Sequence, residues 1–152
     1  MVITKIWFEN DRLYGLTDEG KIVWQSLLWY KRLRNATDDE RNDYEIDDEG
    51  IHWYELDEDV SFESFEYDNP EPVGVSKLFL THPEVNPLAV AKRLGINPGL
   101  MTHYINGTRK PSKDCESKIY NEIKVIGESL AAIGSYGTKN EAISKLDIAS
   151  LS

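Results

Sequence analysis

The sequence predicts a small α+β domain, an antiparallel sheet with short helices, followed by an all-helical domain. Short aromatic and β-branched runs separated by turn pairs fill the first half of the chain. Two asparagine–proline pairs with a glycine between them mark consecutive helix starts in the second half. A segment with two prolines and a glycine separates the halves. We therefore expect an acidic domain at 1–69, a linker at 70–75, a helical domain at 76–134 and a flexible tail at 135–152.

The charge distribution changes at the same place. Residues 1–75 contain 7 Lys and Arg against 20 Asp and Glu, a balance of −13, whereas residues 76–152 contain 10 against 7, a balance of +3. Between Val85 and Lys113 there are five cations and no carboxylate. A surface that meets phosphate needs positive potential locally, whatever the net charge of the chain. This acid-free segment is therefore where the sequence favours nucleic-acid contact.

Composition excludes several classes of protein. The sequence has no apolar run long enough to span a membrane and no cationic region followed by an apolar one at its start. Its single cysteine, Cys115, excludes an internal disulfide and a cysteine metal cluster. We expect a cytoplasmic protein with no membrane association and no cofactor.

The predicted elements of the acidic half are short. Three strands joined by two tight turns form a meander at 2–9, 12–17 and 22–24. Ser26 is expected to cap a helix that runs to Leu33, and Thr37 with Glu40 forms a capping box. A second strand pair is predicted at 44–46 and 51–54, and a last short helix at 62–67.

Asp57, Glu58 and Asp59 are the most concentrated acids that could carry chemistry. Consecutive strand residues point to opposite faces, so adjacent carboxylates rarely converge. We interpret them as an acidic loop before a helix, and His52, which has no second histidine or cysteine nearby, as an ordinary sheet residue. The sequence therefore predicts no catalytic residue, no metal site and no enzyme.

The stretch from Gly50 to Ser61 carries a distinctive pattern. A glycine and a tryptophan, Trp53, precede Leu-Asp-Glu-Asp-Val-Ser and then a short helix. This pattern resembles the end of a small bacterial family, domain of unknown function 2442, over roughly residues 2–68. The resemblance implies a known arrangement, because some members carry a C-terminal lambda-repressor-like domain. Some members are encoded beside toxin genes and are proposed antitoxins.

Two short helices are predicted in the acid-free segment. Asn86 and Asn97 each precede a proline and are expected to be N-caps, and Gly95 is expected to end the first helix in the left-handed conformation. Ala91 supplies the small residue that two steeply crossing helices need at their contact. The spacing predicts a helix-turn-helix whose second helix presents its outer face to a major groove.

This segment resembles the Xre/Cro/lambda-repressor family over 90–97, 101–103 and 106–112. The resemblance implies that Thr102 and His103 contact bases and that Arg109 and Lys110 lie near phosphates. The base-reading candidates are Asn97, Gly99, Thr102 and His103. The phosphate-contacting candidates are Lys92, Arg93, Thr108, Arg109, Lys110 and Lys113.

The segment also departs from the family. Many members have glutamine at the start of both helices, one touching phosphate and one reading adenine. Here these positions are Pro87 and Pro98, and Gly99 has no side chain where a polar one is common. The departures leave open a helix-turn-helix that serves only for packing or dimerisation.

A long helix is predicted from about Lys113 to Ile133, with Ser112 as its cap. Apolar side chains recur along it at helical spacing, and the glycines at 134 and 137 are expected to end it. Its length exceeds what one small bundle needs, so its far end is expected to contact the first domain or a second subunit.

Two hypotheses about function follow. The first is a DNA-binding transcriptional regulator, an antitoxin or autorepressor, that binds double-stranded DNA as a homodimer and a partner protein such as a basic toxin through its acidic domain. The second is a toxin-neutralising interaction module whose helix-turn-helix is structural and binds no DNA.

Overall fold

The computed structural model describes the backbone of residues 1–146 and the side chains of residues 1–134. The chain divides into two compact units, Met1–Val85 with Thr102–Arg109, and Asn86–Met101 with the chain from Lys110 onward. The helix Gly74–Thr81, which the sequence division assigns to the second domain, belongs to the first unit.

The first sheet is the meander that the sequence predicts. It contains β1 (Ile3–Glu9), β2 (Arg12–Thr17) and β3 (Ile22–Ser26), paired antiparallel in the order β1-β2-β3. Asn10 and Asp11 form the first turn, and both have positive φ, 52° and 57°. Asparagine and aspartate tolerate this left-handed conformation better than other residues with a side chain.

The second sheet has one more strand than the sequence indicates. It contains β4 (Glu45–Ile46), β5 (Gly50–Trp53) and β6 (Glu58–Ser61), also antiparallel. The expectation of an acidic loop at 57–59 is therefore wrong for β6. Tertiary packing overrides the low strand propensity of these acids, because Val60 is buried and pairs with the buried Ile51. Gly50 permits the close pairing, since a Cβ there would lie 2.6 Å from the carbonyl oxygen of Val60.

The predicted helix from Ser26 to Leu33 is also corrected. Ser26 does act as a cap, because its hydroxyl accepts from the amide of Leu28 at 3.1 Å. A 3₁₀ helix (Leu27–Trp29) follows, and then a separate α1 (Lys31–Arg34), with non-helical dihedral angles at Tyr30 between them. The break lets both Leu27 and Leu33 reach the core, where each is fully buried. It also places the Tyr30 hydroxyl 2.8 Å from the side-chain oxygen of Gln25.

The remaining elements of the acidic half close one core. The capping box of α2 (Asp38–Asn42) is confirmed, with Thr37 and Glu40 exchanging hydrogen bonds of 2.9 and 3.2 Å. A 3₁₀ helix (Glu63–Glu66) follows β6. Buried side chains from both sheets and the short helices form the core: Ile3, Ile6, Leu13, Val23, Leu27, Leu33, Ile51, Trp53, Val60, Phe62 and Phe65. The acidic half is therefore an α+β fold, as predicted.

Four helices complete the described chain: α3 (Gly74–Thr81), α4 (Pro87–Leu94), α5 (Pro98–Asn106) and α6 (Lys113–Leu146). Ser112 caps α6 as expected, with its hydroxyl 3.1 Å from the amide of Cys115. The predicted helix end near Gly134 is wrong, because α6 continues past both glycines. A glycine costs only about 1 kcal/mol in a helix interior, which the surrounding residues of a long helix offset. The rest of the predicted tail, residues 147–152, lies outside the described residues.

Within the described residues, the helices are too short or too polar to cross a bilayer.

Candidate nucleic-acid interface

Helix α4 begins and ends as its sequence predicts. The side-chain oxygen of Asn86 accepts from the amides of Leu88 and Ala89 at 3.0 and 3.2 Å. At the other end Gly95 is left-handed, with φ 68°. The amide of Ile96 donates to the Ala91 carbonyl at 2.9 Å, and that of Gly95 to Lys92 at 3.3 Å. These paired bonds are a Schellman motif, which turns the chain sharply toward α5.

Helix α5 repeats this start with Asn97. Its side-chain oxygen accepts from the amides of Gly99 and Leu100 at 2.8 and 3.3 Å. A Cβ on Gly99 would lie 3.1 Å from that oxygen, so the small residue fits the cap closely. Asn97, a predicted base reader, therefore has its carboxamide oxygen engaged in the fold. Its amide nitrogen is the group that remains for an outside acceptor.

Thr102 and His103 are exposed on α5. Positions 99 and 103 are four residues apart on this helix and so lie on the same side of it. The Nδ1 atom of His103 lies 2.7 Å from the hydroxyl of Thr108, a predicted phosphate contact. The carbonyl of His103 also accepts from the amides of Thr108 and Arg109, at 3.1 and 3.3 Å. The fold thus brings His103 and Thr108 together and fixes the imidazole through one nitrogen.

The predicted phosphate-contacting cations differ in what they contact. Lys92, Arg109, Lys110 and Lys113 are exposed, and none forms an ion pair within the described side chains. Arg93 instead donates to Glu122 on α6 at 2.9 Å. Arg93 therefore serves the packing of its own unit, and its charge is partly neutralised.

The loop after α5 is anchored by residues that the sequence did not indicate. Gly107 is left-handed, with φ 74°, and a Cβ there would lie 2.9 Å from the Trp29 ring and 3.0 Å from the Asn69 side chain. The Trp29 indole donates to the Asn69 carbonyl at 3.0 Å. Ser76 donates to the Tyr104 carbonyl at 2.6 Å and is buried. Sequence spacing cannot reveal such contacts, because the partners are about 30 to 80 positions apart in the chain.

His52 has a more specific environment than an ordinary sheet residue. Its Nδ1 atom lies 2.6 Å from Asp59, and its Nε2 atom lies 2.7 Å from Asp47. Hydrogen bonding to Asp59, then to Asp47, raises the pKa of His52. The amides of Glu49 and Gly50 lower the pKa of Asp47. His52 pairs with Asp59 because these residues lie opposite each other on β5 and β6. The sequence did not indicate this contact, because it did not indicate β6.

The three adjacent acids diverge. Asp57 occupies a turn with φ 51°, and its carbonyl accepts from Arg32 at 2.6 Å. Glu58 is partly buried, which raises its pKa, and Asp59 contacts His52. No group of three histidine, cysteine or acidic residues in the described part of the chain is arranged to hold a metal ion.

The comparisons with known proteins address the N-terminal part of the chain. No curated protein and no solved structure matches. The resemblance of residues 86–112 to the Xre/Cro family stays a prediction. Residues 3–71 match the family described as protein of unknown function DUF2442. The N-terminal segment, from β1 to just past the second 3₁₀ helix, is therefore similar to that family, as its closing signature predicts.

Proposed function

We propose that this protein is a cytoplasmic DNA-binding transcriptional regulator, an antitoxin or autorepressor whose helix-turn-helix comprises α4 and α5. One observation carries the proposal. Two consecutive asparagine-capped helices joined through Gly95 occupy a segment that contains no carboxylate, in a chain of net charge −10. Its caps are neutral side chains, and of its five cations only Arg93 forms an ion pair within the described side chains.

The exposed cations support phosphate contact. Four cations of the segment are exposed to solvent, so burial does not penalise their charged form: Lys92, Arg109, Lys110 and Lys113. Phosphate contacts give most of the affinity of such proteins and fix their register on the duplex. Thr102 and His103 are the side chains of α5 best placed to add base contacts. As a homodimer, the protein would read two half-sites about one helical turn apart.

A mobility-shift assay on the DNA upstream of its own gene, at two salt concentrations, tests the proposal. We expect a shift at low salt that weakens as salt rises. Arg109→Ala should weaken binding to all sequences and lower the salt slope by about one unit. Lys124→Ala is the matched control, because Lys124 is also exposed but lies outside the acid-free segment. Absence of a shift at low salt, or equal loss in both variants, would contradict the proposal.

The second candidate is an interaction module that binds no DNA. The engaged oxygen of Asn97 and the bare Gly99 favour it, because they reduce the base-reading surface of α5. Under this alternative the acidic domain neutralises a basic protein. Co-purification of such a partner by a protein that leaves every DNA unshifted would establish it over the regulator.

A further inference from the structure

One face of the first sheet has an ordered aromatic row. Trp7 pairs with Tyr14, and Tyr14 pairs with Trp24, so three large rings lie side by side across β1, β2 and β3. The opposite face of these strands enters the core through Ile6, Leu13 and Val23. Because side chains alternate along a strand, the aromatic row belongs to the outer face.

The rings of this row are arranged for stacking. Trp7 and Tyr14 are nearly parallel, with centroids 5.6 Å apart and an angle of 7° between planes. The guanidinium carbon of Arg12 lies 3.8 Å from the centroid of Trp24. The face therefore already holds one guanidinium group by cation–π contact, a geometry that arginine adopts more readily than lysine.

The outer face remains accessible beside the row. Trp7, Tyr14 and Trp24 are each partly exposed, and Ile22, two residues before Trp24 on the same face, is 58% exposed. Cross-strand aromatic pairs stabilise a sheet by themselves. Ile22 pairs with Leu16 across β2 and β3 but leaves more than half of its surface in solvent, which enlarges the apolar platform available to a partner.

The charges around the platform favour a basic partner. Its two hairpin turns carry exposed acids, Glu9 and Asp11 at one end and Asp18 and Glu19 at the other, and these outnumber the cations on or beside the face, which are Lys5, Arg12 and Lys21. Residues 1–75 have a balance of −13. A polyanion would be repelled by this field, whereas an arginine-bearing protein segment would be attracted and could stack on the rings.

We propose that the outer face of β1, β2 and β3, centred on Trp7, Tyr14 and Trp24, binds an arginine-bearing segment of a basic partner protein. This assignment rests on the antitoxin role in the proposed function, in which the acidic domain binds a partner protein. The guanidinium groups stack on the aromatic row as Arg12 does on Trp24, while the acids at the turns attract the remaining positive charges.

A nuclear magnetic resonance titration of the full chain tests this assignment, with a short peptide of alternating arginine and serine as the probe. The four tryptophan indole N–H signals report separate regions. Trp29 and Trp53 donate to the carbonyls of Asn69 and Arg41, whereas Trp7 and Trp24 lie on the proposed surface. Trp7→Phe and Trp24→Phe variants assign the signals. We expect the peptide to shift the Trp7 and Trp24 signals and to leave the other two in place.

Ile22→Lys and Val73→Lys form a matched pair for this titration, because the two side chains are 58% and 64% exposed and the charge change is equal. We expect Ile22→Lys to weaken peptide binding about fivefold, the effect of one like charge at close range in water, and Val73→Lys to have little effect. If the two substitutions weaken peptide binding equally, the outer face of the first sheet is not the binding surface.

Three other outcomes would overturn the assignment. They are shifts of all four indole signals together, equal shifts produced by a short oligothymidine, and concentration-dependent shifts without peptide, which would mean that a second copy covers the face. The mobility-shift assay is independent of this surface. A DNA-binding protein that fails the peptide titration would lose this inference and keep the proposed function.

Discussion

The acidic segment 3–71 and the acid-free segment 86–113 use their charges in opposite ways. In the acidic segment, part of the charge is engaged within the fold, as in the contacts of His52 with Asp47 and Asp59, whereas the acids at the two hairpin turns are exposed. In the acid-free segment, neutral asparagine and serine side chains supply the helix caps, and four cations remain unpaired within the described side chains. Charges that the fold does not use are available for a ligand, and in the second segment they are cations with no carboxylate among them, which is why that segment is the candidate nucleic-acid interface.

The largest expected effect is on stability, and it comes from comparing two glycines with left-handed backbone conformation. Gly107 meets Trp29 and Asn69 of the acidic segment, whereas a Cβ on Gly95 would meet nothing within 4 Å. Gly95→Ala should cost about 1 kcal/mol from backbone strain alone. Gly107→Ala should cost about 2–4 kcal/mol, because overpacking against the indole adds to that strain.

Urea unfolding of both alanine variants measures this difference. Trp29→Leu combined with Gly107→Ala is the control, since removing the indole should recover part of the added cost. Equal destabilisation by the two single substitutions would mean that the loop after α5 is not held by Trp29.

A smaller effect separates the helix-cap role of Asn97 from its proposed position beside DNA. Asn97→Ala removes the cap and should lower the free energy of unfolding by about 1 kcal/mol. Asn97→Asp keeps a good cap but adds a negative charge beside the proposed DNA surface. We expect Asn97→Asp to preserve stability and to weaken DNA binding.

Thermal melting and the mobility-shift assay give these two readouts. Asn86→Asp provides the comparison, because it makes the same change at the matching cap of α4. If Asn97→Asp and wild type bind DNA equally, the start of α5 does not face the duplex.

The smallest effect concerns the pH dependence of the acidic segment. The raised pKa of His52 means that the folded state holds its proton more tightly than the unfolded state. The stabilisation is therefore fully present below the unfolded pKa of about 6.5 and is lost as pH rises through the higher folded pKa. The lowered pKa of Asp47 acts oppositely, losing stabilisation only at acid pH.

Chemical unfolding of wild type and His52→Gln over neutral to mildly alkaline pH measures this contribution. The wild-type protein should lose stability relative to the variant as pH rises through that range. Parallel pH profiles would show that the contacts of His52 with Asp47 and Asp59 do not depend on a protonated imidazole.

Local signals in the sequence were sufficient for much of the fold. The Asn10–Asp11 turn, the Thr37–Glu40 capping box and the Asn86 and Gly95 helix limits depend on residues within a few positions of one another. Each such motif satisfies its own backbone groups, so composition and spacing predict it correctly. The charge contrast between the two halves is likewise a property of the sequence.

Other features depended on distant neighbours. The acidic strand β6 exists because Val60 fills the core against Ile51, and the helix after Ser26 breaks at Tyr30 because Leu27 and Leu33 must both be buried. The candidate site shows the same limit, since the sequence indicated the exposed cations but not the Arg93–Glu122 pair.

The sequence by itself therefore determined the helix caps, the tight turns, the meander and the acid-free segment, because these follow from interactions between residues close in the chain. Only the tertiary structure decided that Arg93 is engaged, that His52 contacts two carboxylates and that Gly107 rests on Trp29. Arg93 and Glu122 are 29 positions apart, and Gly107 and Trp29 are 78 positions apart. His52 is 7 positions from Asp59, its partner in strand register, and 5 positions from Asp47, which follows β4. Burial and register, which local propensity does not encode, selected those partners.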